Sequence, residues 1–197
     1  STPSNSSAAS DVYKRQKDYT LAQNRFLKFT QLEKGENPTA LADAYNRIGD
    51  CYLHARRFDE AKQYYTKAEN MGTPAGDYSF YQLALVAGLQ KDYDGKVALL
   101  NRMANKYPSS PYTINALYEK GRSYVQTSNS RQAIAAFKEL LDKYPESPVS
   151  RKAAAEIGLL YYQNDEYDRA IDAYKHVVTQ LSLIHISEPT RLRRISY

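Results

Sequence analysis

Apolar residues recur along this chain at helical spacing, and the recurrence is interrupted at regular intervals. In residues 18–29 the apolar positions are Tyr19, Ala22, Phe26 and Phe29, which fall at i, i+3, i+7 and i+10 on one helical face. Similar stretches follow in pairs: 40–55 with 58–70, 76–90 with 93–106, 112–127 with 130–143, and 149–163 with 167–180. The links within each pair are short and polar (ARRFD, QKDYD, QTSNS and QNDEYD), and links of that length set neighbouring helices antiparallel. No stretch of residues 17–180 alternates apolar and polar positions as a half-buried strand does.

The pairs are separated by matching punctuation. Asn37-Pro38, Thr73-Pro74, Ser110-Pro111 and Ser147-Pro148 stand 36, 37 and 37 residues apart. Asn, Thr and Ser side chains accept hydrogen bonds from the free N–H groups of a helix start, and proline suits the first helical position. All four are therefore expected to cap helices. Pro108 and Pro145 stop the preceding ones. Lys106-Tyr107-Pro108 returns as Lys143-Tyr144-Pro145, and Ala116, Gly121, Tyr124, Ala133, Ile134 and Phe137 shift onto Ala153, Gly158, Tyr161, Ala170, Ile171 and Tyr174. A period of 36–37 implies an array in which each hairpin buries its apolar face against the next.

The chain's 197 residues and net charge of +5 need one qualification. Residues 1–16 and 181–197 lack the repeat pattern and resemble in-frame translations of adapters used in transposase-based sequencing libraries. The match runs letter for letter from Ser6 to Gln16 and from Leu181 to Arg191. Residues 1–16 and 181–197 are thus expected to be non-native tails, and residues 17–180 an internal fragment of a longer protein. The short strand-like run LSLIHI falls within the second tail. The tails carry a net +3, so the remainder is near +2, and the basic balance no longer argues for a nucleic-acid partner. The uncapped ends are expected to fray or self-associate. One cysteine, Cys51, allows no intrachain disulfide and is expected to be a small packed residue. No apolar run is long enough to span a bilayer, so no direct membrane insertion by this fragment is expected.

The first pair reads Tyr45, Ile48, Gly49, Tyr52, then Ala61, Tyr65, Ala68 and Pro74. The third gives Leu117, Gly121, Tyr124, Ala133, Phe137 and Leu140; the fourth gives Ala154, Gly158, Tyr161, Ala170, Tyr174 and Val177. This order resembles the tetratricopeptide-repeat family. The resemblance implies an all-α fold, a right-handed α-solenoid of helix-turn-helix repeats: a half repeat at 17–37 and repeats at about 38–73, 74–109, 110–146 and 147–180. The second repeat departs from the pattern, with Ala84 for the glycine, Ala87 for the following tyrosine and Lys96 for the small residue of the second helix, so its packing is expected to be looser or shifted. The YPxSP-type linkers resemble those of repeat arrays in bacterial cell-envelope proteins, which implies a periplasmic or envelope location.

In this family, first-helix residues turned away from the second helix line a concave groove. The resemblance places Asp43, Asn46, Asp50, Tyr78, Tyr81, Asn115, Tyr118, Arg122, Lys152 and Tyr162 there, acidic in the first repeat, aromatic in the second and basic in the third and fourth. Such a surface suits an extended peptide or a helix with apolar anchors. The family's carboxylate clamp is not carried over, because Asp50 would repel a carboxylate. Carboxylate pairs such as Asp59/Glu60 fall at helix starts, where they complement the dipole. His54 and His176 have no further ligand at metal spacing. No phosphate loop, nucleophile elbow or zinc-protease motif occurs, so no catalytic residue, cofactor or metal is expected. The expected function is a non-catalytic scaffold for a protein or peptide; the alternative is the helical arm of a larger enzyme.

Overall fold

The computed structural model describes residues 5–33 and 35–175, with side chains from residue 18 onward. Among these there are helices and no strand. The helices are α1 (Asn5–Leu32), α2 (Pro38–His54), α3 (Phe58–Asn70), α4 (Gly76–Leu89), α5 (Tyr93–Lys106), α6 (Thr113–Gln126), α7 (Ser130–Lys143), α8 (Pro148–Gln163) and α9, over residues 167–175. The fold class is the expected all-α solenoid type. The expected tail 181–197 and the end of the last expected helix, with His176 and Val177, lie outside the described residues. At the other end, α1 takes in residues 5–16, which the sequence pattern had left out. Residues 5–32 hold neither proline nor glycine, so nothing in the backbone chemistry stops a helix there.

The helices gather into two compact units, Ser1–Tyr112 and Thr113–Tyr197. In the first, α1 packs on α2, α2 on α3, α3 on α4 and α4 on α5. Tyr19 of α1 stacks on His54 at the end of α2, with ring centroids 4.1 Å apart. In the second unit, α7 packs on both α6 and α8. Its core joins Ala133, Phe137 and Leu140 of α7 to Ala153, Ile157 and Leu160 of α8 and to Ala170 of α9.

Each helix pair turns by one device. Arg56, Lys91, Ser128 and Asp165 all have positive φ, between 57° and 63°. The N–H of the next residue reaches back five positions: Arg57 to the Tyr52 carbonyl, Asp92 to Ala87, Asn129 to Tyr124 and Glu166 to Tyr161, at 2.8–2.9 Å. With the shorter bonds from Arg56 to Leu53, Lys91 to Gly88, Ser128 to Val125 and Asp165 to Tyr162, these are four Schellman turns, none built on glycine.

The junctions between repeats are less uniform than their sequences. Asn37 and Ser147 cap α2 and α8 through their side chains, with proline in the first turn, as expected. Thr73 does not. Residues 73–76 form a turn closed by the Gly76 N–H on the Thr73 carbonyl at 3.0 Å, and α4 starts at Gly76 without a side-chain cap. Thr73 is buried, and its hydroxyl has no hydrogen-bond partner among the described residues. Ser110 accepts the Tyr112 N–H at 3.1 Å, as Ser147 accepts the Val149 N–H, and its hydroxyl also donates to Asp77 Oδ2 at 2.8 Å; α6 starts at Thr113.

Inside the hairpins the repeat glycines sit beneath aromatic rings. A methyl group on Gly49 would lie 2.6 Å from Cε1 of Tyr65, and one on Gly158 would lie 2.7 Å from Tyr174. Gly121 meets Phe137 in the same way. Each aromatic residue follows its glycine by 16 positions. In the second repeat Ala84 is fully buried and the residue 16 positions on is Leu100, also buried. The expected shift in packing is present there: Lys96 is buried, and its aliphatic stem lies against Gly88, where a methyl group would come within 2.9 Å of Lys96 Cδ. The close approach has moved one turn along α4.

Candidate functional site

The expected groove residues fall into two sets, one in each unit. In the first unit they lie on α2 and α4 and form a connected network. Asp43, Arg47 and Asp50 share one face of α2 at i, i+4 and i+7. The Arg47 guanidinium donates to Asp50 Oδ2 at 2.8 Å and to Asp43 Oδ1 at 3.2 Å. The other oxygen of Asp50 accepts from Tyr65 Oη at 2.8 Å and from Tyr78 Oη at 2.7 Å. Asp50 thus holds three donors from three helices, and its charge is spent inside the unit.

From Tyr78 the network continues as aromatic contacts. Its ring meets Tyr65 edge-on at 6.4 Å and Tyr112 at 5.6 Å. Tyr112 stacks on Tyr81 with centroids 5.3 Å apart and planes 15° from parallel. Arg47 lies 5.1 Å from the centre of the Tyr78 ring, within cation–π range. The Ser110–Asp77 bond and the Tyr112 N–H on Ser110 fix the approach of the chain to Tyr112. Tyr65 is fully buried, whereas Tyr78, Tyr81 and Tyr112 are half-buried and present ring surface.

The electrostatics follow from this arrangement. Burial, then the hydrogen bond to Asp50, pushes the Tyr78 phenol well above its usual value. Burial and the Asp50 charge do the same for Tyr65. Burial works against the charged form of Arg47, but Asp50 and Asp43 outweigh it and raise its pKa. Burial and neighbouring Asp50 push the Cys51 thiol up, which agrees with its expected role as a packed residue.

Two expectations for this unit need correction. Asn46 does not line a groove. It is buried; its amide donates to the Ala75 carbonyl at 3.2 Å, and its Oδ1 accepts from Ser79 Oγ at 2.8 Å, so it ties α2 to the start of α4. The first repeat's surface is also not simply acidic, because Arg47 sits between Asp43 and Asp50 and offsets one of their two charges. Arg47 and Tyr112 were absent from the expected set. Arg47 was detectable by its spacing, four residues after one aspartate and three before the next.

In the second unit Asn115, Tyr118 and Arg122 form a stripe on α6 at i, i+3 and i+7. Tyr118 is half-buried: its ring tilts against Phe137 at 5.7 Å and its hydroxyl donates to Glu156 of α8 at 3.4 Å. Burial, then Glu156, raises its pKa. Arg122 is exposed, 3.8 Å from Glu119. Asn115 and Lys152 are exposed. Glu119 and Glu156 interleave with Arg122 and Lys152, so the expected basic character is diluted. Tyr162, 58% exposed, makes an edge contact with Tyr167 at 5.6 Å and so faces the turn into α9. Among the described residues no three or more His, Cys, Asp or Glu side chains are grouped to hold a metal ion, and no helix is long and apolar enough to cross a membrane.

Comparison with known proteins gives a consistent result. Residues 42–71, 78–110 and 118–181 each match a family model described as tetratricopeptide repeat. A crystal structure of MamA superposes with a TM-score of 0.70 at 16% identity, covering 87% of this chain and 94% of that one. BtubC (BKLC) from P. vanneervenii superposes with a TM-score of 0.72 at 13% identity, covering 97% of this chain and 81% of that one. At these identities the likeness concerns the fold alone. No curated protein sequence matches the chain significantly.

Proposed function

The chain belongs to the tetratricopeptide-repeat family, and from that premise we propose that it is a non-catalytic scaffold whose first unit holds a peptide segment of a protein partner across Tyr78, Tyr81 and Tyr112. The observation that carries this reading is the stacked Tyr81–Tyr112 pair, half-buried beside Tyr78. Aromatic rings held by their neighbours offer a large apolar contact with few torsions left to freeze, and such residues dominate binding energy at protein interfaces. Arg47 adds a cation at the edge of this surface, already oriented by two aspartates. The partner class is therefore an extended segment with an apolar or aromatic anchor. In the second unit, Tyr118 and Arg122 offer a smaller contact of the same kind. The YPxSP-type linkers favour a bacterial cell-envelope setting.

The test is a peptide-array screen with the full chain, repeated with Tyr81→Ala together with Tyr112→Ala. The double variant should keep its helical circular dichroism and lose more than about tenfold in affinity for the selected peptides. Tyr118→Ala tests the second-unit contact separately. Unchanged affinity in the Tyr81/Tyr112 variant would refute the assignment of this face.

A further inference from the structure

A cavity of about 600 Å³ opens in the second unit between α7, α8 and α9. Its floor is Ala154 and Ile157, both buried, with Ala173 beside them. Tyr161 forms one wall, and the exposed Lys138 and Arg169 stand at the mouth. The Lys138 ammonium and the Arg169 guanidinium each lie 5.7 Å from the centre of the Tyr161 ring. Asp142 and Asp172 balance their charge, so the mouth is close to neutral. None of these residues belongs to the faces described above.

The first unit contains the corresponding position in a filled state. Ala154 stands two repeats after Phe80, just as Gly158 stands two repeats after Ala84. Phe80 is buried, with the Arg102 guanidinium 5.1 Å and the Lys106 ammonium 5.6 Å from its ring centre. Leu99, packed against the first unit's core, stands in the same relation to Ala173. Two methyl groups therefore occupy the second unit where a benzyl and an isobutyl group occupy the first. Tyr161 stands in the same relation to Ala87 and fills part of the space they leave; the cavity of about 600 Å³ that remains is within the range of ligand pockets.

We propose that this cavity is a binding site for an aromatic side chain of a protein partner, seated as Phe80 seats itself in the first unit. The complementarity is electrostatic as well as steric. The faces of an aromatic ring are electron-rich, and cations at the mouth attract them as Arg102 and Lys106 attract Phe80. An aliphatic side chain of equal bulk gains burial but not this attraction, so the site distinguishes phenylalanine from its saturated analogue.

The probes are acetyl-Gly-Phe-Gly-amide and its cyclohexylalanine counterpart, titrated into the isotope-labelled full chain. The phenylalanine peptide should shift the resonances of Ala154, Tyr161 and Ala173 and bind about two- to fivefold more tightly than the cyclohexylalanine peptide. Ala154→Phe, which places the first unit's residue in the cavity, should abolish both responses. The exposed Lys138→Met should weaken only the phenylalanine peptide, and it tests the site even if Ala154→Phe folds poorly. The Tyr81/Tyr112 double variant should respond like the wild type, so failure here is separable from failure of the first-unit reading. Equal affinity for the two peptides, binding retained by a folded Ala154→Phe protein, or no response up to about 10 mM peptide would overturn the proposal. So would shifts at these residues on concentrating the chain alone, which would assign the cavity to a second copy.

Discussion

At the scale of single residues, the strongest constraint is the contact between a small residue on the first helix and a large one on the second. Gly121 lies directly beneath the Phe137 ring, so Gly121→Ala must push the ring or the helices apart. Overpacking of this kind costs about 1–3 kcal/mol. Phe137→Leu alone opens space, and the two changes together reproduce the Ala84/Leu100 combination of the second repeat. The double variant should therefore be less destabilised in urea than the sum of the singles by about 1 kcal/mol or more, whereas strict additivity would show that the contact is not what couples them. A second prediction concerns alkaline pH. Tyr65 and Tyr78 have folded-state pKa values raised above the ordinary 10.0, by burial first. The folded form holds them neutral while the unfolded chain ionises. Their contribution is thus fully present below pH 10 and is lost above it, at about 1.4 kcal/mol per pH unit per tyrosine until the folded-state pKa is reached. Tyr65→Phe should flatten the fall in stability above pH 10 and leave its pH dependence near pH 7 unchanged.

At the scale of elements, the turns bear a recurring strain. Arg56, Lys91 and Ser128 are exposed residues held in the left-handed region without being glycine. Replacing each by glycine should raise stability by about 0.5–1 kcal/mol, as the midpoint of thermal or urea unfolding will show; alanine at the same positions should give no gain. The helices themselves were legible because proline, short polar links and apolar spacing all marked the same boundaries. The Asn37 and Ser147 caps were legible too. The one at Thr73 was not, because residues 73–76 close a turn of their own and α4 starts only at Gly76. Nor did spacing show that the Ser110 hydroxyl would also donate to Asp77, a residue 33 positions away. The candidate site was readable to the same depth. Helical spacing put Asp43, Asp50, Tyr78 and Tyr81 on the right elements. It could not say that the start of α4 would come down on Asn46 and bury it, or that Asp50 would be consumed by two phenols and a guanidinium. Tyr112 opens the expected helix 112–127 but lies in the turn before α6, so helical spacing assigns it no face.

At the scale of the whole molecule, α1 and α9 each carry exposed apolar side chains. Leu21 and Leu32 of α1 are 53% and 68% exposed, and Tyr167 and Ile171 of α9 are 53% and 51% exposed. Ile171 repeats Ile134, which in α7 packs against the core shared with α8. A helix face that is covered in one repeat is therefore open in the next. The weight-average mass in sedimentation velocity should rise with concentration, and Tyr167→Glu with Ile171→Lys should suppress the rise; a wild-type monomer across the micromolar range would contradict this. The repeats also contain two solutions to one packing problem, glycine under an aromatic ring or alanine over leucine. Their partners lie 16 residues apart, too far for one codon change to convert both. A lineage passing from one solution to the other must cross a variant that is either overfilled or hollow. These pairs should consequently be inherited together, and a sequence library of such repeats should be depleted in the mixed combinations.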